Sequence, residues 1–305
     1  MNRAVHLKRL IQKGNSNMQN QVGAAAVSPQ QKAIQKILWF IGMLAKLAVI
    51  VVFLFPFLWM LSTSLKTYNE AIAYPPTLFM EQPQWENFAA VWNSGNYPLY
   101  FRNSIVVTLA ILVIQLIVSV PCAYALARYK FRGAGLCFAV VLIAFMVPGQ
   151  LTFVSIYIMF ADLGILNTLW PQILPFGANA FGIFMLRQAF KQIPEEIVES
   201  ARLDSGSELS IMFRILLPMA KSSLVAVTLF SFISHWNDYF WPFVMTNVDE
   251  IRPLTVAIAQ LRDSENGSKW QIVMAGNVIL VMPILVVYMF LHKRIINGFV
   301  YAGIK

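Results

Sequence analysis

Six stretches of about twenty mostly apolar residues recur along the chain, and each is long enough to cross the ~30 Å hydrocarbon core of a bilayer as a helix. Charged residues make up only 12% of the chain, about half the share that is usual in soluble domains. The sequence therefore predicts an all-α polytopic membrane protein with six transmembrane helices. The predicted spans are residues 40–62, 104–127, 137–160, 170–189, 222–245 and 271–291.

The positively charged residues are distributed unevenly between the segments that join these spans. If both termini are placed inside, the inner segments hold seventeen of the 23 Lys and Arg residues and the outer segments hold five, while Lys46 lies within the first span. An excess of Lys and Arg on the cytoplasmic side is typical of membrane proteins. Both termini, and the loop formed by residues 190–221, are therefore predicted to be cytoplasmic.

The same pattern divides the chain into four regions. A polar cytoplasmic N-terminal tail (1–36) precedes the first transmembrane helix and a periplasmic segment (37–103). The core transmembrane domain (104–291) contains five helices and the cytoplasmic 190–221 loop, and a cytoplasmic tail (292–305) follows it. A cleavable secretory signal is not expected, because such signals place a short basic segment directly before the apolar run.

The rest of the composition argues against several classes of protein. The net charge of +9 does not predict nucleic-acid binding, because Lys and Arg lie between apolar runs rather than along a basic stripe. No glycine-rich phosphate-binding motif is present, and His6, His235 and His292 are scattered over a tail, a span and a membrane edge. Neither a catalytic nor a metal-ligating constellation is predicted, so an enzyme is not expected.

The 190–221 loop contains a charged segment, ESARLDSGSELSIMFRILLP, in an otherwise apolar chain. Pro194 suits the first turn of a helix, and the acidic residues that follow it suit the positive helix N-terminus. Ser205 and Gly206 predict a break, since glycine tolerates a positive φ. Ser207 can then cap a second helix. The loop is therefore predicted to form two short helices with a bend between them.

The second of these helices is predicted to be amphipathic. Four apolar residues are spaced at i, i+3, i+4 and i+7, which would place them on one face; they are Leu209, Met212, Phe213 and Leu216. Pro218 is expected to end the helix and to lead into the fifth span. A plain surface loop whose apolar faces lie on the helical bundle would show the same pattern, so the spacing alone does not assign a function.

The residues of this loop resemble a motif of the membrane subunits of binding-protein-dependent ABC importers. That motif runs Glu-Ala-Ala, then Asp-Gly-Ala, then an apolar turn that ends in Leu-Pro. The corresponding residues here are Glu199-Ser200-Ala201, Asp204-Ser205-Gly206 and Leu217-Pro218. Two positions differ from the family pattern: Ser200 replaces the first alanine, and the glycine stands one place late, which changes the details of the turn.

Other segments match the carbohydrate branch of that family, in the same order along the chain. They are NSIVVTLA, AYALARYKFRG, FMVPGQLTFVSIYIMFADLGILNT, FGIFMLRQAFKQIPEEIVESARLD, HWNDYFWPFV and NGFVYAGIK. Over most of its length beyond the N-terminal tail, the chain is therefore similar to the permease subunits of maltose-type carbohydrate ABC importers. The resemblance implies the type I ABC importer permease fold, with six transmembrane helices and both termini in the cytoplasm.

The resemblance also implies a mechanism and a set of partners. The loop would contain coupling helices that dock on a cytoplasmic ATPase, and closure of two ATPase subunits around ATP would turn the cavity from inward- to outward-facing. This chain would bind no cofactor, while the partner ATPase would use ATP and Mg. The expected partners are a second homologous permease subunit, a periplasmic or extracellular solute-binding protein and the lipid of a bacterial inner membrane, and the substrate would be an oligosaccharide.

The resemblance assigns roles to individual residues of the loop. Glu199 would be the polar anchor on the ATPase, and Ala201 and Gly206 would permit close approach. Three larger side chains would supply apolar contact. The full set of expected coupling residues is Glu199, Ala201, Asp204, Gly206, Leu209, Met212, Phe213 and Pro218.

Polar and aromatic residues within the predicted spans are candidate substrate contacts, because polar groups are costly in lipid. Aromatic rings in the fifth span can stack on sugar rings, and two other candidates follow glycine breaks. The candidates are Trp236, Asn237, Asp238, Tyr239, Gln150 and Asn179. An aromatic belt at the outer interface, or simple helix kinks, would account for the same residues.

Two other classes of protein share this membrane character. An ion-coupled carrier or channel would show more carboxylates within its spans or an internal inverted repeat. A membrane enzyme would show His, Cys or Asp clustered near one membrane face. The sequence contains neither pattern, and an ATP-driven permease is therefore favoured over both alternatives.

Overall fold

The computed structural model describes residues 29–204, 206–262 and 268–302. Within these ranges every regular element is helical, as the apolar patterning predicts. Ser205, most of the predicted N-terminal tail and the last three residues of the predicted C-terminal tail lie outside the described residues. The α-helices, numbered in chain order, are α1 (Pro29–Ser64), α2 (Tyr68–Ile72), α3 (Glu86–Asn93), α4 (Tyr97–Arg128), α5 (Ala134–Met146), α6 (Phe153–Asp162), α7 (Trp170–Ile173), α8 (Ala180–Gln192), α9 (Glu195–Leu203), α10 (Glu208–Met219), α11 (Lys221–Trp236), α12 (Phe240–Met245), α13 (Leu254–Ala259) and α14 (Trp270–Ala302).

The described residues form two units, which divide between residues 58 and 59. In the first unit, α1 begins at Pro29, ahead of the predicted start of the span at residue 40. Its large apolar side chains are exposed, with Phe53 at 72%. Such all-round apolar exposure is expected of a helix that is surrounded by lipid.

Among the described residues, three helices are long and apolar enough to cross a membrane. They are Gln35–Ser64 of α1, the whole of α4, and Trp270–His292 of α14. Long apolar helices are therefore found at the first, second and sixth predicted spans. Because α14 continues to Ala302, most of the predicted C-terminal tail at 292–305 extends the last helix.

The other three predicted spans are interrupted, so the expectation of one continuous helix in each is wrong. The third is divided into α5 and α6 at Pro148 and Gly149, because proline lacks the N–H that a helix interior needs. The fourth is divided into α7 and α8 by a turn that contains Pro175 and ends at Gly177. The fifth consists of α11, which ends at Trp236, and the short α12.

Helix α4 is the central helix of the second unit. Its last turns pack against α8 and the 190–221 loop in a cluster that we call the Arg128-end core. The buried members of this core are Val120, Ala123, Tyr124, Leu126, Ile183, Leu186, Phe190, Ile193, Val198, Ile211, Met212, Leu216 and Ala220. The first turns of α4 contribute Tyr97 and Tyr100 to a second core that also contains residues of α11, α13 and α14. Helix α4 therefore connects the two ends of this unit.

Replacing Leu186 by alanine should destabilise the protein, because the side chain is fully buried in the Arg128-end core. Leucine-to-alanine changes at such sites leave a cavity and cost about 2–5 kcal/mol. The matched control is Leu136→Ala, since Leu136 is 71% exposed on α5. Denaturant unfolding of both variants in detergent micelles checks this packing, and equal losses in the two variants would contradict it.

Candidate functional site

The 190–221 loop folds as two short helices beside the last turn of α4. Helix α9 follows directly after Pro194. Helix α10 begins after Ser207, whose side-chain oxygen accepts a hydrogen bond from the Ser210 N–H at 3.3 Å. It ends at Met219, just after Pro218, and α11 leaves it at an angle of 83°. The predicted helix–break–helix arrangement is confirmed, and a second sharp bend follows it.

Gly206 is needed in the bend because of a close approach and not because of a positive φ. The Gly206 N–H donates a hydrogen bond to the Ala201 carbonyl at 3.1 Å. A Cβ atom at position 206 would lie 2.7 Å from that same carbonyl oxygen, closer than unstrained contacts allow. The expected reason for this glycine, a left-handed backbone, is therefore wrong, while the expectation that glycine permits close approach fits the geometry.

The apolar residues of α10 do not share one face, because residues Ile211–Leu216 form a π-helical turn. In a π turn the hydrogen bonds join i to i+5, so residues five apart are brought to the same side. Ile211 and Leu216 are accordingly buried at 1% and 0%, and Met212 is buried beside them. Leu209 and Phe213 lie on the outer side. The prediction of a single face at i, i+3, i+4 and i+7 is wrong for this reason.

The outer side of the loop exposes three large apolar side chains. Leu203 is 86% exposed, Leu209 is 66% exposed and Phe213 is 50% exposed. Glu199 lies four residues before Leu203, on the same face of α9, and its carboxylate is exposed. Met212, which was expected among the contact residues, is only 2% exposed and belongs to the Arg128-end core. Leu203, and not Met212, is therefore the third large apolar side chain that the loop exposes.

The other predicted coupling residues lie close to the bend. Asp204 ends α9, with its N–H bonded to the Ser200 carbonyl at 3.1 Å and its side chain exposed. Ala201 is half-buried below it, and Pro218 is exposed in the last turn of α10. Of the predicted set, Glu199, Asp204, Leu209, Phe213 and Pro218 are exposed, whereas Met212 is buried in the Arg128-end core and Ala201 packs against it.

Charged side chains join this loop to the end of α4. Arg128, which is 4% exposed, contacts the Glu195 carboxylate at 2.6 Å. Glu208 accepts a hydrogen bond from Arg202 Nε at 2.8 Å and another from the Tyr124 hydroxyl. Together these bonds lower the pKa of Glu208 to about 2, so its carboxylate is fully ionised at neutral pH. We call these five residues the loop–α4 network.

Sequence reasoning missed the parts of this network that belong to α4. Arg128 opens the short basic segment RYKFR, which contributed only to the charge count of the inner side. An arginine at the last turn of a predicted helix can bind carbonyl groups at a helix end, and that signal was available. The pairing with Glu195 depends on the fold, since the two residues are far apart in the chain.

A second candidate site is a cavity of about 620 Å³ between α4, α5, α8 and α11. Gln115 of α4 lies at its base and donates from Nε2 to the Phe176 carbonyl at 2.8 Å. Its Oε1 accepts hydrogen bonds from Asn179 Nδ2 at 3.2 Å and from the Ser231 hydroxyl. The His235 ring lies 3.2 Å from Gln115 Nε2. We call these four polar side chains, Gln115, Asn179, Ser231 and His235, the polar cluster.

Aromatic side chains form the wall of this cavity. The rings of Phe145 and Phe181 are stacked at 5.8 Å between centroids, and Phe230 meets Phe181 edge-on at 6.2 Å. The residues that line the cavity include no carboxylate, lysine or arginine. An uncharged polar base with aromatic walls suits a ligand rich in hydroxyl groups.

Of the predicted path residues, only Asn179 lines this cavity. Trp236 is 3% exposed, donates from Nε1 to the Leu280 carbonyl at 2.9 Å and stacks on Phe232, so it supports the core. Asp238 lies just before α12 and accepts a hydrogen bond from the Trp241 N–H in its first turn at 3.3 Å. These contacts favour the structural interpretation of both residues.

The remaining predicted path residues lie elsewhere. Asn237 and Tyr239 line a separate cavity of about 410 Å³ together with Arg262 and Asn277. Gln150 is exposed in the turn between α5 and α6. Sequence reasoning overlooked three members of the polar cluster, Gln115, Ser231 and His235. The signal was clearest for Gln115, because a glutamine inside the apolar run ILVIQLIVS is the kind of buried polar group that marks a site in a membrane protein.

Within the described ranges, no three His, Cys, Asp or Glu side chains are grouped closely enough to hold a metal ion. The two sites therefore consist of a partly apolar, partly acidic surface on the loop and a neutral polar cavity within the helices.

Comparison with known proteins assigns the chain to a family. A family model described as "binding-protein-dependent transport system inner membrane component" matches residues 115–300. The chain belongs to this family. The resemblance seen in the sequence is thereby confirmed, and the chain is a transport permease with several membrane-embedded helices.

Individual relatives are similar over most of their length. The inner membrane ABC transporter permease protein YcjP of Escherichia coli is 32% identical over 84% of this chain and 92% of the relative. The diacetylchitobiose uptake system permease protein NgcG of Streptomyces coelicolor is 31% identical over 80% of this chain and 82% of the relative. The arabinooligosaccharides transport system permease protein AraQ of Bacillus subtilis is 28% identical over 83% and 91%.

The fold also matches solved transporters. A chain of a bacterial ABC transporter involved in the import of the acidic polysaccharide alginate superimposes with a TM-score of 0.77 at 24% identity, covering 88% of this chain and 99% of that chain. A chain of the methionine transporter MetNI gives a TM-score of 0.51 at 18% identity, covering 70% and 96%. The fold is therefore that of an ABC importer permease.

Replacing Gly206 by alanine should distort the bend, since the added methyl group would lie 2.7 Å from the Ala201 carbonyl oxygen. Relief of such a contact typically costs about 1–3 kcal/mol. Gly135→Ala is the matched control, because a Cβ atom there meets nothing within 4 Å. Limited proteolysis of the loop measures the effect, and equal cleavage rates in the two variants would argue against the close approach.

Proposed function

We propose that this chain is one permease subunit of a binding-protein-dependent ABC importer, and that it forms with a second, homologous permease an ATP-driven path for an oligosaccharide. Two cytoplasmic ATPase subunits drive the path, and a periplasmic or extracellular solute-binding protein delivers the substrate. The chain binds no nucleotide itself. Its 190–221 loop receives the force that ATP binding generates.

The observation that carries this proposal is the two-sided character of the loop. Its inner side is anchored by Val198, Ile211 and Leu216, all buried in the Arg128-end core. Its outer side exposes Leu203, Leu209 and Phe213 to solvent. Exposed apolar groups next to an acidic side chain, on a rigid element, are typical of a protein-binding surface. The ATPase is the partner that the family resemblance implies.

Each exposed group has a role in the proposed docking. Glu199 is free to bond a polar or basic group of the ATPase, while Leu209 and Phe213 fill apolar positions in its cleft. The close contact at Gly206 and Ala201 stiffens the bend, and a stiff bend transmits displacement instead of absorbing it. Met212 acts from the inner side, by fixing α10 to the bundle.

The proposed topology retains six crossings with both termini in the cytoplasm. The Lys and Arg distribution supports this orientation, and the broken third, fourth and fifth crossings each consist of a helix pair. Irregular backbone within a membrane is tolerated where it is buried in protein or lines a cavity. The regions 37–103 and 104–291 keep their proposed roles as the first helix with its periplasmic segment and as the core domain of a bacterial inner-membrane protein.

An oligosaccharide is proposed as substrate because of the polar cluster and the aromatic wall beside it. Relatives named for arabinooligosaccharides and diacetylchitobiose support this class. The sequence as a whole also resembles the second membrane subunit of alginate-oligosaccharide importers. The cavity lining includes no lysine or arginine to pair with an acidic sugar, so both anionic and neutral oligosaccharides are candidates. Of the predicted path residues, we retain Asn179 as a proposed substrate contact and add Gln115.

Replacing Phe213 by aspartate should prevent the ATPase from docking, since the change puts a charge at an apolar contact. We expect at least tenfold weaker binding of the purified ATPase to the permease pair, which corresponds to about 1.4 kcal/mol. Phe131→Asp is the matched control, because Phe131 is exposed at 44% and lies outside the loop. Binding is measured by co-purification from detergent. Undiminished binding of the Phe213 variant would exclude this docking surface.

The substrate class is tested with the complete importer in liposomes. Solute-binding protein loaded with the correct oligosaccharide should stimulate ATP hydrolysis several-fold. Comparing the stimulation across a panel of neutral and anionic oligosaccharides identifies the substrate. An ion-coupled carrier or channel, the alternative function, would move solute in proteoliposomes that contain no ATPase. Transport under that condition would refute the proposed mechanism.

A further inference from the structure

We propose that Arg128 is a positioning residue that couples the loop to α4, so that displacement of the loop by its partner moves the end of α4 as part of the same rigid body. This inference rests on the proposed function. It extends that function, because the force would then reach the polar cavity through the second crossing as well as through the fifth, which follows the loop directly.

The first attachment is made by the Arg128 guanidinium. It contacts the Glu195 carboxylate at 2.6 Å and donates hydrogen bonds to the carbonyl groups of Phe190 and Ile193 at 2.5 and 2.7 Å. Those carbonyls belong to the end of α8, and Glu195 is the first residue of α9. One side chain of α4 therefore holds the end of one helix and the start of the next.

The second attachment is made one helical turn earlier on α4. The Tyr124 hydroxyl donates a hydrogen bond to the Glu208 carboxylate, and Glu208 is the first residue of α10. Residues four apart lie on the same face of a helix, so Tyr124 and Arg128 project from α4 side by side. The first residues of both loop helices are thus bound to two side chains that lie one helical turn apart on the same face of α4.

Arg202 joins the two attachments. Its guanidinium lies 3.9 Å from the Glu195 carboxylate and 2.8 Å from that of Glu208. Since α9 and α10 are attached on both sides of the bend at Gly206, neither helix can rotate about that bend without breaking a charged contact. A single attachment would leave this rotation free.

The placement of α4 gives these attachments a functional consequence. Gln115 lies on the same helix and is the residue that holds the polar cluster together. Helix α4 remains helical from Gln115 to Arg128, with Pro121 inside it. A displacement of the Arg128 end of α4 would therefore reach Gln115 along one helix. Arg128 contacts neither the exposed side of the loop nor the cavity itself, so its action is indirect.

The test uses the complete importer reconstituted with Arg128→Lys, which keeps the charge but loses the planar fork that reaches three acceptors. We expect normal assembly and ATP hydrolysis but about threefold less solute transported per ATP. Arg132→Lys, an exposed arginine of the same segment, should keep the wild-type ratio. A structural role alone would lower the amount of assembled importer without changing this ratio. A wild-type ratio in assembled Arg128→Lys importer would overturn the proposal.

A second measurement avoids any change to the network. Spin labels at the exposed positions 131 and 196, which lie outside the proposed docking surface, report the distance between the segment just after α4 and helix α9. We expect that distance to stay constant when ATP is added, since the two move together; a change would overturn the proposal. Failure of the wild-type importer to bind its ATPase would instead refute the proposed function, so the two failures are distinguishable.

Discussion

The binding of Glu195 and Glu208 to Arg128 and Tyr124, one helical turn apart on α4, is the interaction on which the arrangement of the loop depends. Glu195 and Glu208 are the first residues of α9 and α10, and Arg128 and Tyr124 of α4 hold them. With their starts fixed, both loop helices bury one side in the Arg128-end core and leave the other side exposed. The acidic residues are also favourable at these positions because the helix N-terminus is positive.

The polar cavity and the 190–221 loop are both built on helix α4. A chain that must transmit movement through lipid needs rigid packing at the point where force enters and a polar environment at the point where solute passes. In the proposed mechanism both depend on α4, which is continuous from Tyr97 to Arg128, while the third, fourth and fifth predicted spans are interrupted. The break near Pro175 borders the cavity, because Phe176 and Asn179 are among its lining residues, and irregular backbone can be accommodated there.

The helical fold could be predicted from the sequence, because long apolar runs follow directly from the cost of polar groups in lipid. The orientation that Lys and Arg indicate stays a prediction. The helix–break–helix arrangement of the loop could also be predicted, from Pro194, Gly206 and Ser207. The π turn at Ile211–Leu216 was not visible, since residue spacing cannot distinguish it from an α turn, and it moved Met212 into the core. The network and the polar cluster join residues distant in sequence, such as Gln115 with Ser231, which only the folded chain brings together.

In the proposed function a cytoplasmic ATPase binds the exposed side of the 190–221 loop. Replacing Leu209 with a photo-crosslinking amino acid in the complete importer and irradiating native membranes tests this contact. We expect a crosslink from this position to the ATPase subunit, and none from the same replacement at Leu136, which lies on α5. Absence of an ATPase crosslink at position 209, together with its labelling by a membrane-impermeant reagent added from outside, would contradict the account.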